Sequence, residues 1–258
     1  MITCGIDIGS TTIEVVLLRG REPIGSGWAL CGPAPAANTA SLQDSVLSGA
    51  GITRADVART VATGFGRNYC AFADEVFSEI RCHATGVAAQ IPGVRTVIEI
   101  GGQDAKMIQL GEGGRVQEFL MNDRCAAGTG RFIETVARTL GVTVDQTGPL
   151  ALASEAVCEI NSMCAVFAES EIVGLLHRGE TPGAILRGVF LSIARRTSGM
   201  VGRFAVNGQV VFTGGVARNS GLVQTMQEVL GREVLVPEEP EFTGALGAAI
   251  LAARGRGT

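Results

Sequence analysis

The chain has 258 residues, of which 46% are hydrophobic and 5% aromatic, and it contains 36 glycines. This length and composition predict one large domain or two lobes of the α/β class, with many tight turns of the kind that bind phosphate. The net charge of −4 gives no electrostatic case for nucleic-acid binding. The sequence lacks an apolar run of the about 20 residues that span a membrane, and its first residues do not resemble a signal peptide. We therefore expect a cytoplasmic protein that binds neither nucleic acid nor membrane.

The first 30 residues predict three strands, at 2–8, 13–18 and 23–30, and a phosphate-binding turn after the first of them. The turn consists of small and hydroxyl-bearing residues: Gly9, Ser10, Thr11 and Thr12. A glycine lets the backbone approach a phosphate, and successive N–H groups and hydroxyls can donate to its oxygens. Asp7, near the end of the first strand, can hold a hydrated Mg²⁺. The alternative interpretation is an ordinary polar hairpin turn.

A second copy of this pattern makes the phosphate-binding interpretation stronger. Residues 97–104 parallel residues 4–12, with Gly101 in the position of Gly9 at an offset of 92. The sequel matches as well, because strand-like runs follow at 105–110 and 115–121. A repeated unit of this kind predicts two similar lobes that face each other over a nucleotide.

In the second copy the glycines of the turn are Gly101 and Gly102, and the polar chemistry belongs to Gln103 and Asp104. Asp104 is the candidate to position the attacking water or a metal-bound water. The predicted catalytic residues are therefore Asp7, Gln103 and Asp104.

Between the copies, residues 32–37 predict a Pro/Ala-rich loop, and residues 41–50 and 77–90 predict helices. His83 lies in the second of these helices, and we assign it no catalytic role. The predicted boundaries place the first lobe at 1–95 and the second at 96–241. A small-residue helix within 242–258 is expected to pack back on the first lobe.

The later part of the chain is predicted to be mainly helical. Thr181 and Pro182 predict the N-cap and first position of a helix that extends as far as residue 204. The strand-like run that follows ends at Gly214 and Gly215, which permit flat contact with a ligand such as the adenosine of ATP. The alternative is a plain β–α turn. Residues 233–237 predict one more short strand.

Two of the seven cysteines precede helix-like runs. Cys125 lies before a helical pattern at 132–140, which Gly141 ends as a C-cap, and Cys164 lies before the run 165–173. Unpaired N–H groups and the dipole at a helix N-terminus favour an anion, such as a thiolate or a thiolate-bound metal cluster. The default for a cysteine is a small buried residue, and we keep it for the other five. These are Cys4, Cys31, Cys70, Cys82 and Cys158.

The order of these motifs resembles the ATPase superfamily of actin, Hsp70 and the sugar kinases, with its two-lobed, hexokinase-like and ribonuclease H-like α/β fold of duplicated lobes. The blocks 122–132 and 161–171 are more specific. They resemble the activators of 2-hydroxyacyl-CoA dehydratases and the related ATP-binding subunits of benzoyl-CoA reductases, over essentially the whole chain. The resemblance implies an oxygen-sensitive homodimer that shares one [4Fe–4S] cluster, with Cys125 and Cys164 of each protomer as its ligands.

The resemblance also implies a function. Hydrolysis of ATP, bound with Mg²⁺, would drive the transfer of one low-potential electron to a 2-hydroxyacyl-CoA dehydratase, and a ferredoxin or flavodoxin would re-reduce the activator. Two cysteines cannot complete a four-thiolate cluster, and a symmetric dimer supplies the other two. Two alternatives stay open at this point: the ATP-binding subunit of a benzoyl-CoA-reductase-type complex, and a small-molecule kinase of the same superfamily.

Overall fold

The computed structural model describes residues 1–122, 125–161, 165–203 and 208–254. Cys164 therefore lies outside the described residues. The strands are β1 Ile2–Ile8, β2 Thr12–Arg19, β3 Glu22–Leu30, β4 Val57–Thr63, β5 Glu75–Val76, β6 Val94–Ile100, β7 Ala105–Leu110, β8 Val116–Asn122, β9 Gln209–Thr213 and β10 Val234–Leu235. The helices are α1 Pro35–Gly49, α2 Glu79–Gln90, α3 Gly130–Leu140, α4 Val144–Leu152, α5 Ala165–His177, α6 Pro182–Val201, α7 Ser220–Leu230 and α8 Thr243–Ala253.

The described chain forms two compact units. The first comprises Met1–Val97, Ile108–Phe119 and the residues from Pro237 onward, and the second comprises Ile98–Met107 and Leu120–Val236. Each unit has its own hydrophobic core. No described helix has the length and hydropathy needed to cross a bilayer.

The sheet of the first unit has the order β3-β2-β1-β4-β5, with β1 at its centre. Ile6 of β1 lies opposite Val15 of the antiparallel neighbour β2 and opposite Ala62 of the parallel neighbour β4. Every residue of β1 after Ile2 is buried, as expected for a central strand that is covered on both faces. This burial places Asp7 inside the protein although it carries a carboxylate.

Helix α8 covers one face of β1 through small side chains. A Cβ added to Gly5 would collide with the backbone at Ala245 and Ala249, so the helix lies directly on the strand. The Thr3 hydroxyl donates to the carbonyl oxygen of Ala249 at 3.0 Å. On the other face of the same strand, Cys4 belongs to the core cluster that includes residues of α1.

The second sheet repeats the order of the first. Its order is β8-β7-β6-β9-β10. Each of its strands therefore occupies the place of a strand in the first sheet: β6 corresponds to β1, β7 to β2, β8 to β3, β9 to β4 and β10 to β5. The sequence predicted the repeat for three strands. The structure extends it to five, because β4 and β9 hold equivalent places beside the two central strands.

Several predicted elements are confirmed, whereas the predicted start of α1 and the predicted end of α6 were wrong. Gly141 ends α3 with φ +70°, the left-handed conformation of a C-cap. The Thr181 side chain accepts the N–H of Ala184 at the start of α6. Helix α1 begins at Pro35, inside the stretch 32–37 that we predicted as a loop, because proline is well suited to the first turn of a helix. Helix α6 ends at Val201, before the predicted residue 204, which is outside the described residues.

Candidate functional site

The first glycine turn is closed by a hydrogen bond from the Gly9 N–H to the carbonyl oxygen of Thr12, at 2.9 Å. Ser10, Thr11 and Thr12 are half-exposed, so a ligand can reach them. The hydroxyl oxygen of Thr11 is buried and has no hydrogen-bond partner among the described residues. A buried hydroxyl without a partner is costly, which favours a ligand that accepts or donates at this position.

Asp7 occupies a close-fitting pocket within the first unit. Its side chain is buried, and a Cβ added at Gly64 or at Gly244 would collide with its carboxylate oxygens. Only glycine at these two positions leaves room for the acid.

His83 is next to Asp7, with its Nε2 at 3.8 Å from the Asp7 Oδ2. The Thr243 hydroxyl lies 3.1 Å from the Pro240 carbonyl oxygen, to which it donates, and 3.0 Å from His83 Nδ1. Since the hydroxyl proton goes to the carbonyl, we assign Nδ1 as the donor to Thr243, and an ion pair between Nε2 and Asp7 then requires a second proton, on Nε2. Nothing in the sequence pattern connected His83 with the predicted magnesium-binding residue.

The second glycine turn has the geometry of the first. The Gly101 N–H donates to the carbonyl oxygen of Asp104 at 3.0 Å, as Gly9 does to Thr12. Gly101, Gly102 and Asp104 are half-exposed, and Gln103 is exposed.

Glu99 is a site residue that sequence reasoning missed. The offset of 92 that relates Gly9 to Gly101 also relates Asp7 to Glu99, so the two acids hold equivalent places on the central strands β1 and β6. Glu99 is 4% exposed. Burial raises the pKa of its carboxyl group, and the ammonium of Lys106 opposes that rise. The repeat itself was the signal that could have revealed this residue.

Lys106 bridges two acids in the second unit. Its Nζ lies 2.7 Å from the Glu99 Oε2 and 2.8 Å from the Asp104 Oδ1. The lysine is 2% exposed, which is exceptional for this residue type unless it is paired. The sequence placed it on a predicted strand without a role, because strand periodicity does not distinguish a buried ion-paired lysine from an exposed one.

Asp7 and Glu99 share a further feature, which is a Thr-Gly pair at the end of the strand next to each of them. Thr63 is the last residue of β4 and Gly64 follows it, and Thr213 is the last residue of β9 and Gly214 follows it. Gly214 has φ +85° and ψ 166°, a conformation that is essentially restricted to glycine. A Cβ at this position would lie 2.8 Å from the Glu99 Oε1. Gly214 therefore lies beside Glu99, and Gly215 begins the 3₁₀ turn Gly215–Arg218 that precedes α7.

Cys125 is half-buried and precedes the 3₁₀ turn Ala126–Gly128, after which α3 begins at Gly130. The predicted helix start after Cys125 is thus a 3₁₀ turn followed by the α-helix. The Sγ of Cys125 accepts a hydrogen bond from the Arg196 guanidinium, at 3.5 Å. The five cysteines taken as small buried residues are all buried, which confirms that interpretation.

Two backbone hydrogen bonds connect the second glycine turn to the start of α3. The Gly130 N–H donates to the Gly101 carbonyl oxygen, and the Arg131 N–H donates to the Gly102 carbonyl oxygen, both at 2.9 Å. These two bonds tie the second glycine turn to the segment that follows Cys125. Within the described part of the chain, no three His, Cys, Asp or Glu side chains are grouped closely enough to hold a metal ion.

The model of the BadF/BadG/BcrA/BcrD ATPase family matches residues 4–252. The chain belongs to this ATPase family. The resemblance predicted from the two cysteine blocks is confirmed, and so is the predicted ATPase class.

Relatives whose names state a role are similar to the chain over nearly its whole length. The 2-hydroxyisocaproyl-CoA dehydratase activator of Clostridioides difficile is 42% identical, over 98% of this chain and 95% of its own. The (R)-2-hydroxyglutaryl-CoA dehydratase activating ATPase of Acidaminococcus fermentans is 40% identical, over 97% and 96%. A benzoyl-CoA reductase subunit of Thauera aromatica is 31% identical, over 96% and 92%.

Solved structures confirm the predicted actin- and hexokinase-like α/β fold of this BadF/BadG/BcrA/BcrD family member. The Clostridium difficile activator of 2-hydroxyisocaproyl-CoA dehydratase with bound ADPNP has a TM-score of 0.92 at 41% identity, covering 98% of this chain and 94% of its own. Component A of the Acidaminococcus fermentans (R)-2-hydroxyglutaryl-CoA dehydratase has a TM-score of 0.95 at 40% identity, covering 98% of both. A glucokinase of Streptomyces griseus shares the fold alone, with a TM-score of 0.62 at 15% identity over 99% of this chain and 100% of its own.

Proposed function

We propose that this chain is an ATP-dependent activator that delivers one low-potential electron to a 2-hydroxyacyl-CoA dehydratase. The observation that carries the proposal is the pair of backbone hydrogen bonds from Gly130 and Arg131 to the carbonyls of Gly101 and Gly102. They join a predicted phosphate turn to the start of the helix that follows Cys125. The names of relatives at about 40% identity support the choice of partner enzyme.

The nucleotide is assigned to the three glycine turns. Ser10, Thr11 and Thr12 donate hydroxyl and backbone hydrogen bonds to phosphate oxygens, and the buried Thr11 hydroxyl, which lacks a partner among the described residues, supports this assignment. Gly101 and Gly102 offer backbone N–H groups on the second turn. Gly214 and Gly215 lie against the adenosine.

The acids divide the work of hydrolysis. Asp7 organises the Mg²⁺ that accompanies ATP, and its buried position fixes its direction. Asp104 orients the attacking water, assisted by the exposed amide of Gln103. Because phosphoryl transfer depends mainly on positioning, Asp104→Asn is expected to lower ATP turnover about 10²-fold while nucleotide binding survives.

Cys125 and Cys164 are the residues that would hold a [4Fe–4S] cluster. Cys125 suits a thiolate ligand because it precedes a helical turn and its sulfur receives a hydrogen bond from the Arg196 guanidinium. When bound, the cluster supplies a one-electron couple of low potential. Two cysteines in each chain require a second copy for four ligands, so the active species is a homodimer. A ferredoxin or flavodoxin serves as the electron donor.

The coupling follows from the backbone contacts. A nucleotide that draws Gly101 and Gly102 toward its phosphates displaces their carbonyls, and the N-terminus of α3 moves with them. The segment 125–130 changes orientation as a consequence. ATP binding thereby alters the surroundings of Cys125 without touching it.

The deciding experiment is the iron and sulfide content of protein purified without oxygen, together with EPR after reduction. We expect about four irons for each pair of chains, from the ligand count of four cysteines per cluster. Cys125→Ser and Cys164→Ser should abolish the cluster and electron transfer but keep ATP binding, whereas the control Cys158→Ser should keep both. A colourless, iron-free protein that phosphorylates a sugar would instead favour a kinase.

A second candidate is the ATP-binding subunit of a benzoyl-CoA-reductase-type complex, favoured by the 31% identity to one component of such an enzyme. It shares the chemistry but works in a permanent assembly. Size-exclusion chromatography of the protein purified from its native source separates the two candidates. A homodimer that activates its partner enzyme in substoichiometric amounts supports the activator, and a stable complex with other proteins supports the reductase.

A further inference from the structure

The ion-pair network of Lys106, Glu99 and Asp104 contains two acids and one base. The side chains of Lys106 and Glu99 are 3% and 5% exposed, and that of Asp104 is 22% exposed. Burying a lysine is strongly unfavourable unless its charge is compensated. A single contact with Glu99 at 2.7 Å would compensate it, yet the ammonium makes a second contact with Asp104 at 2.8 Å. This second contact reaches an acid that solvent can approach.

The chain places these groups by strand geometry. Lys106 is the second residue of β7, and Asp104 immediately precedes this strand, so the ammonium can reach back to the Asp104 carboxylate. Glu99 lies near the end of β6, across the turn from them. The contact with Lys106 uses the Oδ1 of Asp104, which leaves Oδ2 as the oxygen for a water or a hydrated metal ion.

We propose that Lys106 is a positioning residue that fixes the orientation of the Asp104 carboxylate for ATP hydrolysis, and that buried Glu99 holds Lys106 in place. The inference deepens the proposed function and rests on it. Lys106 does not need to touch the nucleotide, because it acts through Asp104. Charge-assisted contacts of this length restrict the rotation of a carboxylate more strongly than neutral hydrogen bonds do.

Loss of the ammonium has a specific consequence. Asp104 would lose its orienting contact and would lie near a second carboxylate, that of Glu99, so that like charges repel. The backbone N–H groups of Gly101 and Gly102 would keep their positions, since the closing bond of the turn is made by main-chain atoms. The chemical step should therefore suffer while nucleotide binding persists.

The test compares kcat and KM for ATP in the homodimer with its cluster, with ADP affinity from calorimetry. Lys106→Met should lower kcat about 10²-fold, the magnitude typical of lost positioning, and change the ADP Kd by less than about threefold. Lys106→Arg, which keeps the charge, should recover part of that loss. Arg59→Met removes another partly buried ion pair, the one with Glu75 at 2.6 Å, and should leave kcat unchanged.

The double variant Lys106→Met/Asp104→Asn shows whether Lys106 affects kcat through Asp104 or independently of it. It should be no slower than the slower single variant, because both changes remove the same function. Multiplied losses would overturn the inference, as would a normal kcat in Lys106→Met. If Lys106→Met does not fold, Lys106→Met/Glu99→Gln removes both buried charges and should show the same loss of kcat; normal turnover there would also overturn it.

The outcome for Asp104→Asn separates this inference from the proposed function. Normal turnover in Asp104→Asn would refute the role of Asp104 in hydrolysis, and it would refute the role of Lys106 as well, because Lys106 acts through Asp104. A slow Asp104→Asn beside a normal Lys106→Met would refute the role of Lys106 alone.

Discussion

Gly214→Ala should destabilise the second unit through its contact with Glu99 and the backbone of β6. The residue has φ +85° and ψ 166°, where a side chain costs about 1–3 kcal/mol. The new Cβ would also lie 2.5 Å from the Ile100 carbonyl oxygen and 2.8 Å from the Glu99 Oε1. The carbonyl belongs to a central strand and cannot move aside easily, so the contact adds to the backbone cost. We expect a total loss of about 3–4 kcal/mol.

The matched control for this variant is Gly231→Ala. Gly231 also has a positive φ, +62°, at the C-cap of α7, but a Cβ there would have no atom within 4 Å. Its expected cost is the conformational term alone, about 1–2 kcal/mol. The two variants should thus differ by about 2 kcal/mol, or by roughly 4–8 °C in Tm for a unit of this size.

Differential scanning calorimetry of the two variants, with and without ADP, measures the difference. Gly214→Ala should also weaken ADP binding, because it displaces Glu99 and the turn assigned to the adenosine. Gly231→Ala should bind ADP normally. Equal Tm values for the two variants would refute the argument that contact with Glu99 and Ile100 makes Gly214 irreplaceable.

Three more predictions concern other parts of the molecule. Thr181→Ala removes the N-cap bond of α6 and should lower the free energy of chemical unfolding by about 1 kcal/mol. The control Thr139→Ala, inside α3, should leave this free energy unchanged or raise it slightly. Equal losses of unfolding free energy in the two variants would contradict the capping role. Burial raises the pKa of Cys82 from 9.0 to about 12. Between these pH values the folded state keeps a proton that the unfolded state releases. The stability that this thiol contributes is therefore fully present below pH 9 and is lost as the pH rises toward 12. The urea-unfolding free energy should therefore fall about 1.4 kcal/mol per pH unit less steeply in Cys82→Ala than in the parent, and identical slopes would contradict this. Arg196→Met removes a charged hydrogen-bond donor to the Cys125 sulfur and should make the midpoint reduction potential of the cluster more negative. An EPR redox titration at constant iron content measures this potential. An unchanged midpoint potential would show that the contact does not tune the cluster.

The sequence predicted the parts of the fold that local patterns determine. Alternating and continuous apolar runs located the strands around the two glycine turns, and Thr181 and Gly141 marked helix ends through their capping chemistry. The start of α1 was missed because Pro35 fits both a loop and the first turn of a helix.

The candidate site was predicted less completely, for a physical reason. The turn residues follow from the chain itself, but the pairing of Lys106 with Glu99, seven positions apart, depends on two strands lying side by side. The approach of Gly214 to Glu99 spans more than a hundred positions and is set by tertiary packing. Glu99 alone was within reach, through the 92-residue repeat that had already related Gly9 to Gly101.

The position of α8 on β1 has a consequence for the order in which a newly made chain matures. The first unit needs Thr243–Ala253 to cover Gly5 and to supply Gly244 beside Asp7, whereas the second unit uses no residue beyond Val236. At about 5–20 residues per second, translation completes the second unit about a second or more before α8 exists. Strand β1 is therefore made long before the helix that covers it, and Asp7 acquires its full surroundings only after α8 has been synthesised.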